Sequence, residues 1–320
     1  MKNIEEDIEH YINDLIRKID ILSEYCWGGL PKENSIKEWI SNFETKEEQA
    51  NALFLASKFM LFSVDQVKVL LKNLYKKFFL DPLLQKNIRD GIDVKTTWYN
   101  LLNNEFQQTR FIPVGNPSES SAHLLYYFRS INQLELNLFI SLGEIFEFKD
   151  GKDTFLNNNI KRYIFIDDLI GSGSQAKTYN SSIIEKAKTI DENISIEYYS
   201  LFATDEGLQY IRDNTKFDIV NSLFVLDESF KALEENSRYF SNSKLPDFIN
   251  LNIINAMVEK YKDKFEDELG GSTGFSNNQL LLGFYYNIPD NSLPMFWQKS
   301  SSWKPFFERI HKCDGVFYDV

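Results

Sequence analysis

Toward the N-terminus, apolar positions recur with a helical period. Ile4, Ile8, Tyr11, Ile12, Leu15, Ile19 and Leu22 follow one another at three- and four-residue steps, which lays one apolar stripe along a long helix. Gly28-Gly29-Leu30-Pro31 breaks the pattern. Thr45 with Glu48, and Ser63 with Gln66, have the spacing of a capping box, so helices are predicted to start there. Leu53, Phe54, Phe59, Val67, Leu70, Leu71 and Leu74 make a broad buried stripe, and Asp81-Pro82 opens a further short helix. Residues 1–107 are therefore expected to form an all-helical N-terminal domain.

From Thr109 the period shortens to that of strands. Arg110-Phe111-Ile112-Pro113-Val114 reads as a short strand ending in Gly115-Asn116-Pro117, and a Ser-rich turn then leads into a helix through Leu124, Leu125 and Phe128. Tyr163-Ile164-Phe165-Ile166 is almost purely apolar, the mark of a parallel strand covered on both faces. A helix follows, with Ala176, Tyr179, Ile183, Ile184, Ala187 and Ile190 on one side. Next come a strand over 194–202, a short helix over 207–213 and a strand over 217–226. Strand alternating with helix in this order predicts an α/β fold with a parallel sheet over residues 108–320. Leu280 to Tyr286 reads as a late strand, and Gly270-Gly271-Ser272-Thr273-Gly274 as a flexible connector.

Composition narrows the partners. The chain carries 35 Lys and Arg against 47 Asp and Glu, a formal net charge of −12, which argues against a basic nucleic-acid groove or an anionic-membrane surface. Hydrophobic residues at 43% supply a real core. Two cysteines and three histidines make neither a disulfide framework nor a structural zinc site. No apolar run approaches the ~18 residues of a membrane helix, and the start MKNIEEDIEH is too acidic for a signal peptide. A soluble, cytoplasmic protein is expected, of undetermined oligomeric state.

One segment concentrates the candidate chemistry: the strand Tyr163–Ile166, then Asp167-Asp168-Leu169-Ile170, then Gly171-Ser172-Gly173-Ser174-Gln175 opening a helix. Carboxyl ends of parallel strands are where open α/β sheets bind ligands. A Gly/Ser loop at a helix start converges N–H groups and hydroxyls on a phosphate. Two adjacent carboxylates ahead of it suit sugar hydroxyls, or Mg²⁺ through water. Together these describe a site for a ribose phosphate.

This order resembles the phosphoribosyl-pyrophosphate motif of the phosphoribosyltransferases. The resemblance implies that Asp167 and Asp168 hold the ribose 2′- and 3′-hydroxyls and a water-mediated Mg²⁺, as the catalytic pair. It implies that Gly171, Ser172, Gly173, Ser174 and Gln175 wrap the 5′-phosphate. The sequence departs from the motif at Gly171, where several nucleobase-transferring members keep an Asp or Thr. The helical N-terminal block, the Ser-rich loop before Tyr126 and Phe128-Arg129, and Asn287-Ile-Pro-Asp-Asn-Ser-Leu-Pro-Met-Phe-Trp297 look like the phosphoribosyltransferase-like proteins of bacterial conflict and anti-phage systems, some of them retron-associated. That resemblance implies a phosphoribosyl pyrophosphate or nucleotide ligand and defence-system partners such as a reverse transcriptase.

Each assignment has a plainer alternative. Asp167-Asp168 also suits a strand-end turn and helix cap. Ser118, Ser120, Ser121 and Arg129 are read either as a pyrophosphate-holding loop or as an ordinary helix cap beside a surface ion pair. Asn287, Asn291 and Trp297 are read either as base contacts or as turn and core residues. For the whole chain, the alternatives to a Mg²⁺-dependent transferase are a non-catalytic nucleotide sensor and a helical interaction protein on a degenerate scaffold.

Overall fold

The computed structural model describes residues 4–115, 120–241, 244–265 and 271–309. Its elements are α1 (Ile4–Tyr25), α2 (Glu33–Ile40), α3 (Lys46–Ala56), β1 (Met60–Phe62), α4 (Val64–Tyr75), α5 (Asp81–Arg89), α6 (Val94–Gln108) and β2 (Thr109–Pro113). These are followed by α7 (Ser120–Ile131), β3 (Phe146–Lys149), β4 (Lys152–Phe155), β5 (Arg162–Ile170), α8 (Ser174–Tyr179), α9 (Glu185–Ile190) and β6 (Ser195–Thr204). The chain continues through α10 (Asp205–Asn214), β7 (Ile219–Leu226), α11 (Leu251–Phe265) and β8 (Leu282–Phe284). No helix among the described residues is long and apolar enough to cross a membrane.

The chain separates into two compact units, Met1–Val64 with Glu228–Val320, and Asp65–Asp227. The divisions at 64/65 and 227/228 replace the boundary expected at 107/108, and packing gives the reason. Residues 65–108 cover the sheet of the second unit, through Phe79 against Phe111 at 5.6 Å and Phe78 against Tyr199 at 5.0 Å. The residues after 227 return to the N-terminal helices. Trp39 Nε1 donates to the Met295 carbonyl at 2.8 Å, and Asn51 donates to the Phe248 carbonyl at 2.7 Å.

In the first unit, the predicted stripe of α1 is buried at Ile8, Ile12, Leu15 and Ile19. Thr45 and Glu48 form the expected capping box at the start of α3. Every residue from Ala50 to Ala56 is buried, Asn51 included, so this part of α3 is covered on all sides rather than along one stripe. Its neighbours in the core include Trp39, Tyr261, Trp297, Trp303 and Phe306. The block is not wholly helical: β1 pairs in parallel with β8, Met60 opposite Leu282 and Phe62 opposite Phe284. Residues 271–279 are ordered against the turn at 290–292 instead of forming a loose connector. The Phe275 N–H donates to the Asp290 carbonyl at 2.8 Å, and that of Leu280 to Asn291 at 3.1 Å.

The second unit is an α/β layer structure around a four-stranded parallel sheet of order β2-β5-β6-β7. Phe165, Tyr198, Tyr179, Leu208 and Ile211 share one core against it. β3 and β4 pair as a separate antiparallel hairpin that the apolar pattern did not single out. The helix expected to open at Asp81-Pro82 continues instead from α4 through a π-turn at Lys76–Leu80. Proline lacks an N–H and its ring clashes with the carbonyl four residues back. The wider turn accommodates this, with Asp81 N–H bonded to the Lys76 carbonyl. The carbonyl set free, that of Phe78, lies 3.3 Å from the Tyr199 hydroxyl.

Candidate functional site

β5 is apolar from Tyr163 to Ile166 because both faces of this central strand are covered; all four side chains are at most 2% exposed. The strand does not stop at the acids. Asp167 lies opposite Ser200 and Ile170 opposite Ala203, so the sheet runs past the pair. Asp167 and Asp168 are consequently 5% and 6% exposed. Asp167 is tied down on both oxygens: Oδ2 accepts from the Tyr198 hydroxyl at 2.6 Å, and Oδ1 from the Asp168 N–H at 2.9 Å. Burial first, and then the charge of Asp167, push the Tyr198 hydroxyl well above the usual phenol range. Tyr198 therefore stays protonated and serves Asp167 as a donor. Beside them the Ser200 hydroxyl is buried with no hydrogen-bond partner among the described residues.

The loop after β5 is shaped by backbone contact. Gly173 has φ +76°, and a Cβ there would lie 2.9 Å from the Gly207 carbonyl oxygen and from Ile211. Gly207 in turn allows α10 to approach the Gly171 carbonyl; its own Cβ would sit on that oxygen and 2.9 Å from Thr204 Oγ1. Thr204 fastens the junction, accepting from the Gly207 N–H at 3.0 Å and donating to the Gly171 carbonyl at 2.6 Å. The hydroxyls of Ser172 and Ser174 are 2.8 Å apart, and Ser174 N–H donates to Ser172 Oγ at 3.3 Å. Ser174 and Gln175 are exposed at the head of α8. This segment is a tight loop seated against the start of α10, with the Ser172 and Ser174 hydroxyls exposed.

The other candidates divide. Ser118 lies outside the described residues; Ser120 and Ser121 occupy the first turn of α7. Arg129 sits half-buried near the far end of α7, with its guanidinium 5.9 Å from the Tyr126 ring centroid. Nine residues at about 1.5 Å each separate it from Ser120 along the axis. Gly115, which precedes the Ser-rich loop, joins the β5 cluster: its N–H donates to the Tyr179 hydroxyl at 2.5 Å. Asn287, Asn291 and Trp297 belong to the first unit. Asn287 closes a turn with Phe284, and Asn291 Nδ2 donates to the Phe275 carbonyl at 3.4 Å. Trp297 is 1% exposed, donates to the Ser292 carbonyl at 3.0 Å and is covered by Arg309, so its ring is a core element and offers no open stacking face.

Both Asp167 oxygens already have protein donors, and the described residues contain no group of three His, Cys, Asp or Glu that could hold a metal. Local pattern places Tyr179 only on the apolar side of its helix and marks no site role for Tyr198, Thr204 or Gly207, which lie on β6 and α10. Only Thr204 carries a local signal, as the N-cap hydroxyl ahead of Asp205-Glu206.

The family model PRTase-CE matches residues 36–309. No curated protein matches the chain. Among solved structures, the xanthine-guanine-hypoxanthine phosphoribosyltransferase of Helicobacter pylori is 10% identical over 52% of this chain and 89% of that one, with a TM-score of 0.28. A hypothetical protein from Neisseria gonorrhoeae with bound ppGpp is 8% identical over 53% and 85%, with a TM-score of 0.28. The orotate phosphoribosyltransferase of Aeropyrum pernix is 13% identical over 38% and 63%, with a TM-score of 0.22.

Proposed function

We propose, from the premise that this chain belongs to the PRTase-CE family, that its phosphoribosyltransferase-like unit binds a ribose 5-phosphate ligand, phosphoribosyl pyrophosphate or a nucleotide, at the loop following β5. The observation that carries the reading is the Gly171–Gln175 loop itself. Its positive-φ Gly173 and its seat on Thr204 and Gly207 shape a tight turn ahead of a helix, with the Ser172 and Ser174 hydroxyls exposed on it. Such a turn binds an anion without first paying to order itself. Magnesium enters this proposal with the phosphates of the ligand and not as a resident ion.

Isothermal titration with phosphoribosyl pyrophosphate, with and without Mg²⁺, tests it. The wild-type chain should bind, and Gly173→Val should lose binding at least about tenfold, a cost of about 1.4 kcal/mol. Absence of binding to the folded wild-type protein, or equal binding by the variant, would overturn the assignment.

A second reading, a nucleotide sensor without turnover, is favoured by the engagement of Asp167 with Tyr198 and by the missing side chain at Gly171. Release of pyrophosphate from bound phosphoribosyl pyrophosphate decides between a transferase and a sensor. The role in an anti-phage defence system, with a reverse transcriptase or similar partner, is proposed on the likeness of the 287–297 segment to such proteins. It predicts that cells carrying Gly173→Val lose phage resistance that the wild-type gene confers.

A further inference from the structure

α8 carries the Gly171–Gln175 loop at its head and ends at Tyr179, whose hydroxyl accepts from the Gly115 N–H at 2.5 Å. Gly115 is the second residue past β2 and has φ +100°, a conformation open to glycine and rare for other residues. Tyr179 is 9% exposed, and its ring centroid lies 5.8 Å from that of Phe165, so close packing limits its swing. From Ser174 to Tyr179 the helix rises about 7.5 Å, in five steps of about 1.5 Å. Tyr179 thus ties the chain leaving β2 to the far end of the helix that the loop opens.

β2 and β5 are parallel neighbours, with Pro113 opposite Ile166 and the Val114 N–H on the Ile166 carbonyl at 3.3 Å. Their carboxyl ends therefore open at one edge of the sheet, the edge where such sheets take ligands. On the other side of β5, the end of β6 is filled by α10. Thr204 donates to the Gly171 carbonyl at 2.6 Å, and a Cβ on Gly207 would sit on that same oxygen. A ligand seated on the loop and continuing along this edge is directed toward β2.

We infer that Tyr179 is a positioning residue: by holding Gly115 against α8, it sets the spacing between the loop that takes a 5′-phosphate and the end of β2, where a second anionic group, the C1 diphosphate, is received. The inference rests on the reading of Gly171–Gln175 as a 5′-phosphate loop, and adds to it a requirement for a ligand with two anionic ends. A spacing fixed beforehand spares the ligand the cost of ordering Gly115 on binding. A ligand with one phosphate does not use that spacing and is indifferent to Tyr179.

Isothermal titration of the full chain with ribose 5-phosphate and with phosphoribosyl pyrophosphate, each with Mg²⁺, tests this. The wild type should bind both, phosphoribosyl pyrophosphate at least about tenfold more tightly. Tyr179→Phe keeps the ring and removes the acceptor. It should bind ribose 5-phosphate as the wild type does and lose at least about tenfold in affinity for phosphoribosyl pyrophosphate. Amide hydrogen exchange of the wild-type chain is a measurement independent of the variant. Phosphoribosyl pyrophosphate should slow exchange at Gly115 and at Gly171–Ser174, and ribose 5-phosphate at Gly171–Ser174 alone. Failure of the folded wild type to bind either compound would overturn the phosphate-loop reading, and this inference with it. With both bound, equal affinities in the wild type, a Tyr179→Phe chain unchanged or weakened equally for both, or equal protection of Gly115 by both would overturn the role of Tyr179 alone.

Discussion

Replacing Gly207 by alanine sets two opposing effects against each other. Gly207 lies in the first turn of α10, where alanine over glycine ordinarily gains up to about 1 kcal/mol of helix stability. Here the added methyl would land on the Gly171 carbonyl oxygen and 2.9 Å from Thr204 Oγ1. Both neighbours are fixed, one as backbone and the other as a cap hydroxyl with two hydrogen bonds, so the loop must move. Forced overpacking costs about 1–3 kcal/mol. Losing the buried Thr204–Gly171 hydrogen bond adds about 0.5–1.5 kcal/mol. The clash wins, with a net destabilisation of about 0.5–3.5 kcal/mol once the helix gain of about 1 kcal/mol is subtracted. At about 2–4 °C per kcal/mol, the melting temperature should fall by about 1–14 °C. Hydrogen exchange of the Gly171–Ser174 amides should accelerate in parallel. Gly143→Ala is the control: the nearest heavy atom to its Cβ is Ser141 Oγ at 4.0 Å, and the change should stay within about 0.5 kcal/mol. A Gly207→Ala protein that melts at or above the wild-type temperature would refute the contact argument.

Three further outcomes follow from buried polar groups. Tyr198→Phe removes a hydroxyl donor from the buried Asp167 and should cost about 1–3 kcal/mol in urea unfolding; an unchanged midpoint would show that this bond does not hold the carboxylate. Arg162 binds both Glu197 oxygens, at 2.7 and 2.8 Å, and Glu105 at 2.9 Å, while Glu197 is 3% exposed. Arg162→Met should therefore cost about 3–5 kcal/mol, and Arg162→Met with Glu197→Leu should recover most of it; equal losses in the single and double variants would contradict the burial account. Burial raises the Tyr163 phenol to about 12 and pushes Tyr198 and Tyr199 up as well. A folded pKa above the unfolded value near 10 gives stability that is complete below about pH 10 and lost as pH climbs toward 12. The melting temperature should fall across that interval, and a flat profile would be inconsistent with buried neutral phenols.

Much of the architecture is written in local pattern. The stripe of α1, the Thr45–Glu48 cap, the apolar run of β5 and the alternation of strands with helices after Thr109 each specify their element through neighbours a few residues away. The same holds for Gly171–Gln175, whose composition announces a tight turn into a helix. What sequence could not settle depended on partners far along the chain. α4 to α6 join the sheet unit because their aromatic faces meet Phe111 and Tyr199, and α1 to α3 are closed off by residues beyond 227. Asp167 and Asp168 look like a free strand-end pair when read alone. They are buried because β6 runs alongside past them, and because Tyr198, thirty-one residues on, places its hydroxyl on Asp167. Periodicity records which face of an element is covered; only the folded chain determines what covers it, and so which polar groups remain free to meet a ligand.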